Sequence, residues 1–188
     1  MKDPPGYTKG LLYTWRGLAL LALIGVVVVY RDRDEMVWLL VWSVFSMWLA
    51  DGDIRTRLMP RRVIYVGIGF TLAAMMVTIL VTDHGWTPSR DGIIGGLSAF
   101  VALLVMRVLS SGAIGGGDVR LAALLGLGVS TVMGPFGGLV AVAAGWLLHG
   151  AIALTGLAKR LLTMESTLPL GPSLVLASMA CVVVVALL

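Results

Sequence analysis

The strongest constraint on this chain is the recurrence of apolar runs about as long as a bilayer is thick, separated only by short polar stretches. A helix needs about 20 mainly apolar residues to cross the hydrocarbon, and it must satisfy its own backbone there. Such runs follow one another along the sequence at 11–30, 36–50, 63–81, 92–110, 119–133, 135–158 and 170–188. The fold class expected is therefore all-α, a polytopic transmembrane bundle of about seven helices. The second and fifth runs are short, and Gly134-Pro135 either ends a helix or kinks one. With 59% of residues hydrophobic and 13% charged, a soluble fold is excluded, and residues 1–188 read as one integral-membrane domain.

The polar stretches set the topology. Lys2, Lys9 and Arg16 precede the first apolar run, which ends in Val-Val-Val-Val-Tyr without the small residues that signal-peptide cleavage requires. It reads as a retained anchor. Arg31-Asp32-Arg33-Asp34-Glu35 is net acidic, whereas Arg55, Arg57, Arg61 and Arg62 outweigh Asp51 and Asp53. The stretch from Asp83 to Asp91 is acidic again, Arg107 and Arg120 flank the next connection, 133–136 is uncharged, and Lys159 and Arg160 outweigh Glu165. Basic connections thus alternate with acidic or neutral ones, and the positive-inside rule places the N-terminus in the cytoplasm. The same rule accounts for the net charge of +4 without any nucleic-acid partner. The basic loops read first as topology signals and anchors to membrane lipid. Cys181 is the single cysteine, and neither His84 nor His149 has a metal-binding neighbour in sequence, so no metal or other cofactor is expected.

Against this background the carboxylates stand out. A charge near membrane depth usually faces protein or water and marks function. Asp118 follows Gly115-Gly116-Gly117, whose lack of side chains allows another backbone to approach. Asp51 and Asp53 end the second apolar run, on the same expected membrane face. If that helix continues past Ala50, the two lie about 200° apart around its axis, so only one can face the core. Spacing alone does not choose between them. Two carboxylates in one partly dry site share a proton, which is the chemistry of an aspartic protease. It would equally suit a proton- or ion-coupled transporter or an assembly subunit. Asp118 also fits a helix cap before Val119, and Asp51 an interfacial charge. Trp15, Trp38, Trp42 and Trp48 read as interface anchors and bundle packing, Arg120 as a snorkelling charge, and His149 as a hydrogen-bonded core residue.

Three stretches resemble the motifs of type IV prepilin peptidases. Asp53-Ile54-Arg55-Thr56-Arg57-Leu58-Met59-Pro60 is similar to the first catalytic box, an aspartate followed after six residues by proline. Gly115-Gly116-Gly117-Asp118 resembles the Gly-x-Gly-Asp of this intramembrane aspartic protease group, and Leu168-Pro169-Leu170-Gly171-Pro172 the late Pro-Phe-Gly-Pro signature. The resemblance implies that Asp53 and Asp118 are the catalytic pair. It implies that Pro60, Gly115, Gly116, Gly117, Pro169, Gly171 and Pro172 bind substrate or shape the loops around it. The implied substrate is a prepilin or pilin-like precursor whose short basic leader is removed at the cytoplasmic membrane face, in the service of a pilus or secretion machinery. Two positions depart from the pattern: Arg61 stands where Asn or Asp is usual, and Met59 replaces Ile or Leu. Larger members carry an N-terminal zinc-binding domain associated with methylation. Nothing like it is expected in 1–188, which points to a peptidase-only member. Another Gly-x-Gly-Asp membrane protease with non-pilin substrates is the nearest alternative.

Overall fold

Every described element is a helix: α1 (Tyr7–Tyr30), α2 (Met36–Thr56), α3 (Arg61–Val81), α4 (Trp86–Leu109), α5 (Gly116–Met133), α6 (Gly137–Ala158) and α7 (Gly171–Leu187). The structure, a computed structural model, describes residues 7–82, 86–162 and 168–188. Lys2, Asp3, Asp83 and Glu165, which enter the charge reading, and His84, which enters the metal reading, lie outside the described residues. Six of the helices are long and apolar enough to span a bilayer, while α7 has 17 residues. The chain is a multi-pass membrane protein.

Several helix boundaries differ from the sequence expectation, and three of the differences have a clear local reason. α2 does not stop at Ala50 but runs on to Thr56. Ile54 is buried, and Arg55 bonds back to Asp51 at 2.7 Å across one turn, so the helix continues beyond its apolar run. It ends at Arg57, whose left-handed backbone (φ 55°) lets its N–H donate to Asp53 O, and Pro60 then opens α3. α4 begins at Trp86 rather than Gly92, because Pro88 in a first helical turn forfeits no hydrogen bond. α6 begins at Gly137, after a true break at Gly134, which adopts φ 80°.

α5 is the centre of the bundle. It is the most enclosed of the candidate spans, with 61% of its window buried, whereas only 17% of the α1 window is. Small residues make this enclosure possible. A methyl group at Gly126 would stand 2.6 Å from Gly95 O, and one at Gly138 would stand 2.8 Å from Gly126 Cα, so α4, α5 and α6 meet backbone to backbone. On the other flank, Trp42 donates its indole N–H to Leu124 O (2.8 Å) and Trp38 donates to Thr131 Oγ1 (3.3 Å). Both rings are fully buried and serve packing, whereas Trp48 faces outward. Tyr30 closes the far end of α1 by donating to Val182 O at 3.0 Å.

Candidate functional site

The C-terminal turn of α2, the first turn of α5 and the start of α7 meet at one end of the bundle. They enclose a cavity of about 350 Å³ lined by Asp53, Arg57, Ala113, Ile114, Gly115, Asp118, Trp146, Leu168, Pro169 and Leu170. The continuation of α2 decides which carboxylate of the first cluster enters it. Asp53 is 8% exposed and faces the cavity. Asp51, on the other side of the helix, bonds Arg16 of α1 at 2.9 Å and Arg55 at 2.7 Å. It ties α1 to α2 and leaves the cavity to Asp53.

Each aspartate is held by backbone that only a small residue permits. The Gly171 N–H donates to Asp53 Oδ2 at 3.1 Å, and a methyl group at Gly171 would stand 2.9 Å from that oxygen. Asp118 occupies the third position of α5 and accepts a hydrogen bond from the N–H of Gly115, the residue that caps the helix. This is the returning half of a capping box, with an aspartate in the usual Glu position. It replaces the cap before Val119, since α5 starts three residues earlier. A methyl group at Gly115 would lie 2.7 Å from Asp118 Oδ2. Gly117 meets Met59 instead: a methyl there would be 2.9 Å from Met59 Cβ, while one at Gly171 would be 2.5 Å from Met59 Cε. Met59, one of the two departures from the sequence pattern, is thus the wedge between the Gly117 and Gly171 backbones.

The remaining sequence-singled residues fall around this core. Pro169 and Pro172 are buried at the start of α7, and Pro169 lines the cavity. Pro60 and Arg61 are exposed at the α2–α3 turn and do not line it. Gly116 lies beside two guanidinium groups. Arg120 donates to Gly116 O (2.6 Å) and to Tyr65 OH (3.0 Å), and Arg107 donates to Ile114 O. Arg120 therefore braces the glycine turn against α3, a more specific role than snorkelling.

Two neighbours of the pair were not legible as such. Arg57 stands four residues after Asp53 and lines the same cavity. The i, i+4 spacing in sequence was the available signal. His149 of α6 lies in electrostatic reach of Asp53 and places Nδ1 3.4 Å from Ser173 Oγ. Nothing in sequence links positions 53 and 149, because the helix packing alone brings them together. Among the described residues, no three His, Cys, Asp or Glu side chains gather as a metal site would need.

The chain is 32% identical over 133 residues to the prepilin leader peptidase/N-methyltransferase of Bacillus subtilis (strain 168). The match takes in 69% of this chain and 48% of that protein, so the chain spans about half the length of the curated relative it matches. No family model matches the chain, and no solved structure does.

Proposed function

The chain is a distant homologue of the prepilin leader peptidases, and from that premise we propose that it is an intramembrane aspartic endopeptidase with Asp53 and Asp118 as its catalytic pair. The observation that carries this reading is that two carboxylates from different helices line one half-enclosed cavity at a bundle end. Of the pair, the ionised member takes a proton from water, and the water oxygen attacks the scissile carbonyl. The protonated member hydrogen-bonds the carbonyl oxygen and stabilises the tetrahedral intermediate, and the proton taken from the water passes to the nitrogen as that intermediate collapses and expels the new amine. The two titrate as a unit, so the roles belong to the pair. Gly171 and Gly115 hold the carboxylates from the backbone, and the exposed edge of Gly115 leaves room for an extended peptide.

The substrate is a membrane-anchored prepilin or pilin-like precursor with a short basic leader. Cleavage takes place at the cytoplasmic face. That orientation is supported by charge: Arg55, Arg57, Arg61, Arg62, Arg107, Arg120, Lys159 and Arg160 all belong to the connections at the cavity-bearing end. The test is co-expression with a pilin precursor from the same genome, following leader removal by gel shift. Wild type and Asp51→Asn should process the precursor, whereas Asp53→Asn and Asp118→Asn should leave it intact. Full processing by Asp118→Asn would overturn the mechanism.

A further inference from the structure

Arg107, in the last turn of α4, is half-buried, and among the described residues it pairs with no carboxylate. Its guanidinium donates instead to Ile114 O, seven residues on. The chain returns to it because the turn after Leu109 reverses direction. Ser111 (φ 52°) and Gly112 (φ 87°) are both left-handed, and the Gly112 N–H donates to Arg107 O at 2.8 Å. Ile114 then buries its side chain in the cluster that holds Leu103, Val119 and Val142. The connection is thereby pinned by a side chain and by a carbonyl immediately ahead of the glycine run.

The carbonyl that Arg107 grips belongs to the same peptide unit as the N–H of Gly115. In a trans peptide the two groups point to opposite sides. Arg107 on the oxygen side therefore aims the N–H at Asp118, which accepts from it. Asp118 Oδ2 lies close by, 2.7 Å from where a methyl group at Gly115 would stand. A cation on the oxygen also polarises the amide, which makes its N–H a stronger donor to the carboxyl group. The carbonyls of Ile114, Gly115 and Gly116 are held in turn by Arg107, by the Val119 N–H (3.3 Å) and by Arg120 (2.6 Å). Only the first shares its peptide unit with the N–H on Asp118.

We propose that Arg107 is a positioning residue for the cleavage reaction: through the Ile114–Gly115 peptide it sets the place and the polarity of the Asp118 carboxyl group. This rests on the protease reading above, and adds to it a cation that works from behind the cavity wall. Gly115 and Asp118 line the cavity, whereas Arg107 does not. Its loss should therefore leave substrate affinity alone and lower turnover. Displacing a reacting group by about 0.5 Å lowers the rate about tenfold.

The test uses the full chain in lipid vesicles with a membrane-anchored prepilin. Arg107→Met removes the charge and the donors, Arg107→Lys keeps the charge, and Arg62→Met removes an exposed cation from the same end as a control. Arg107→Met should lower kcat about tenfold with KM within about twofold of wild type. Arg107→Lys should recover most of that loss, and Arg62→Met should turn over as wild type does. A second readout needs no activity. The carboxyl infrared band that Asp118→Asn abolishes should shift in Arg107→Met and lie nearer its wild-type frequency in Arg107→Lys. Wild-type kcat in Arg107→Met, a rise in KM alone, an equal loss in Arg62→Met, a loss that Arg107→Lys does not relieve, or an unmoved band overturns the proposal and leaves the protease reading intact. Should Arg107→Met fail to fold, Arg107→Gln takes its place beside Arg107→Lys: the lysine variant should be the faster, and equal kcat overturns the proposal. Wild-type protein that cleaves no precursor refutes the protease reading, and the infrared band then decides the link from Arg107 to Asp118 by itself.

Discussion

Gly171→Ala adds one methyl group and should cost the enzyme its alignment more than its stability. That methyl would stand 2.9 Å from Asp53 Oδ2 and 2.5 Å from Met59 Cε. The methionine end can swing aside. The carboxylate can retreat only by stretching the 3.1 Å hydrogen bond from the Gly171 N–H. Reaching ordinary contact near 3.4 Å moves the oxygen by about 0.5 Å, which is about the tolerance of a catalytic constellation. Misplacement on this scale lowers turnover roughly 10- to 100-fold, equivalent to about 1.4–2.7 kcal/mol at the transition state. The overpacking itself destabilises the fold by only about 1 kcal/mol. The assay is leader removal by purified protein in vesicles, with thermal unfolding in detergent measured in parallel. Met59→Ala in the same chain removes the methionine contact and leaves the Asp53 contact, so turnover should stay low in the double variant. Wild-type turnover in Gly171→Ala, or full recovery with Met59→Ala, would refute the claim that this glycine seats Asp53.

Asp51→Asn breaks the contacts to Arg16 and Arg55, whose side chains are 48% and 49% exposed. It should therefore shift unfolding by less than about 1 kcal/mol and leave cleavage in place, and loss of cleavage would move the catalytic register to this residue. Gly126→Ala places a methyl 2.6 Å from Gly95 O, a backbone atom that cannot turn away. It should destabilise the α4–α5 contact by about 1–3 kcal/mol, read by thermal denaturation in detergent. Trp42→Phe removes the indole donor to Leu124 O in a fully buried site. A loss of about 1 kcal/mol or more is expected in the same measurement.

Much of this arrangement is legible in the sequence because a membrane simplifies the problem. Apolar runs become helices, and alternating loop charge sorts their ends, so Asp53 and Asp118 could be expected on one face before any packing was known. Helix ends were less legible. The sequence signal at Ala50 marks where the apolar run stops, and α2 outlasts it by six residues. That extension is what turns Asp51 towards Arg16 and Asp53 into the cavity. Met59 read as a mild substitution, yet it touches two glycine backbones that lie far apart in sequence. The proximity of His149 to Asp53 is a product of tertiary packing that no local pattern encodes.

The central claim is that Asp53 and Asp118 act as one unit on one water. The most direct test is a double-variant cycle on purified protein in vesicles, with release of the leader from a membrane-anchored prepilin followed by mass spectrometry. Asp53→Asn and Asp118→Asn should each lower the rate by about 10⁴-fold or more, and the double variant should be no slower than either, because members of a single catalytic unit are not additive. Cleavage within tenfold of wild type by either single variant, or losses that multiply in the double, would contradict the pair.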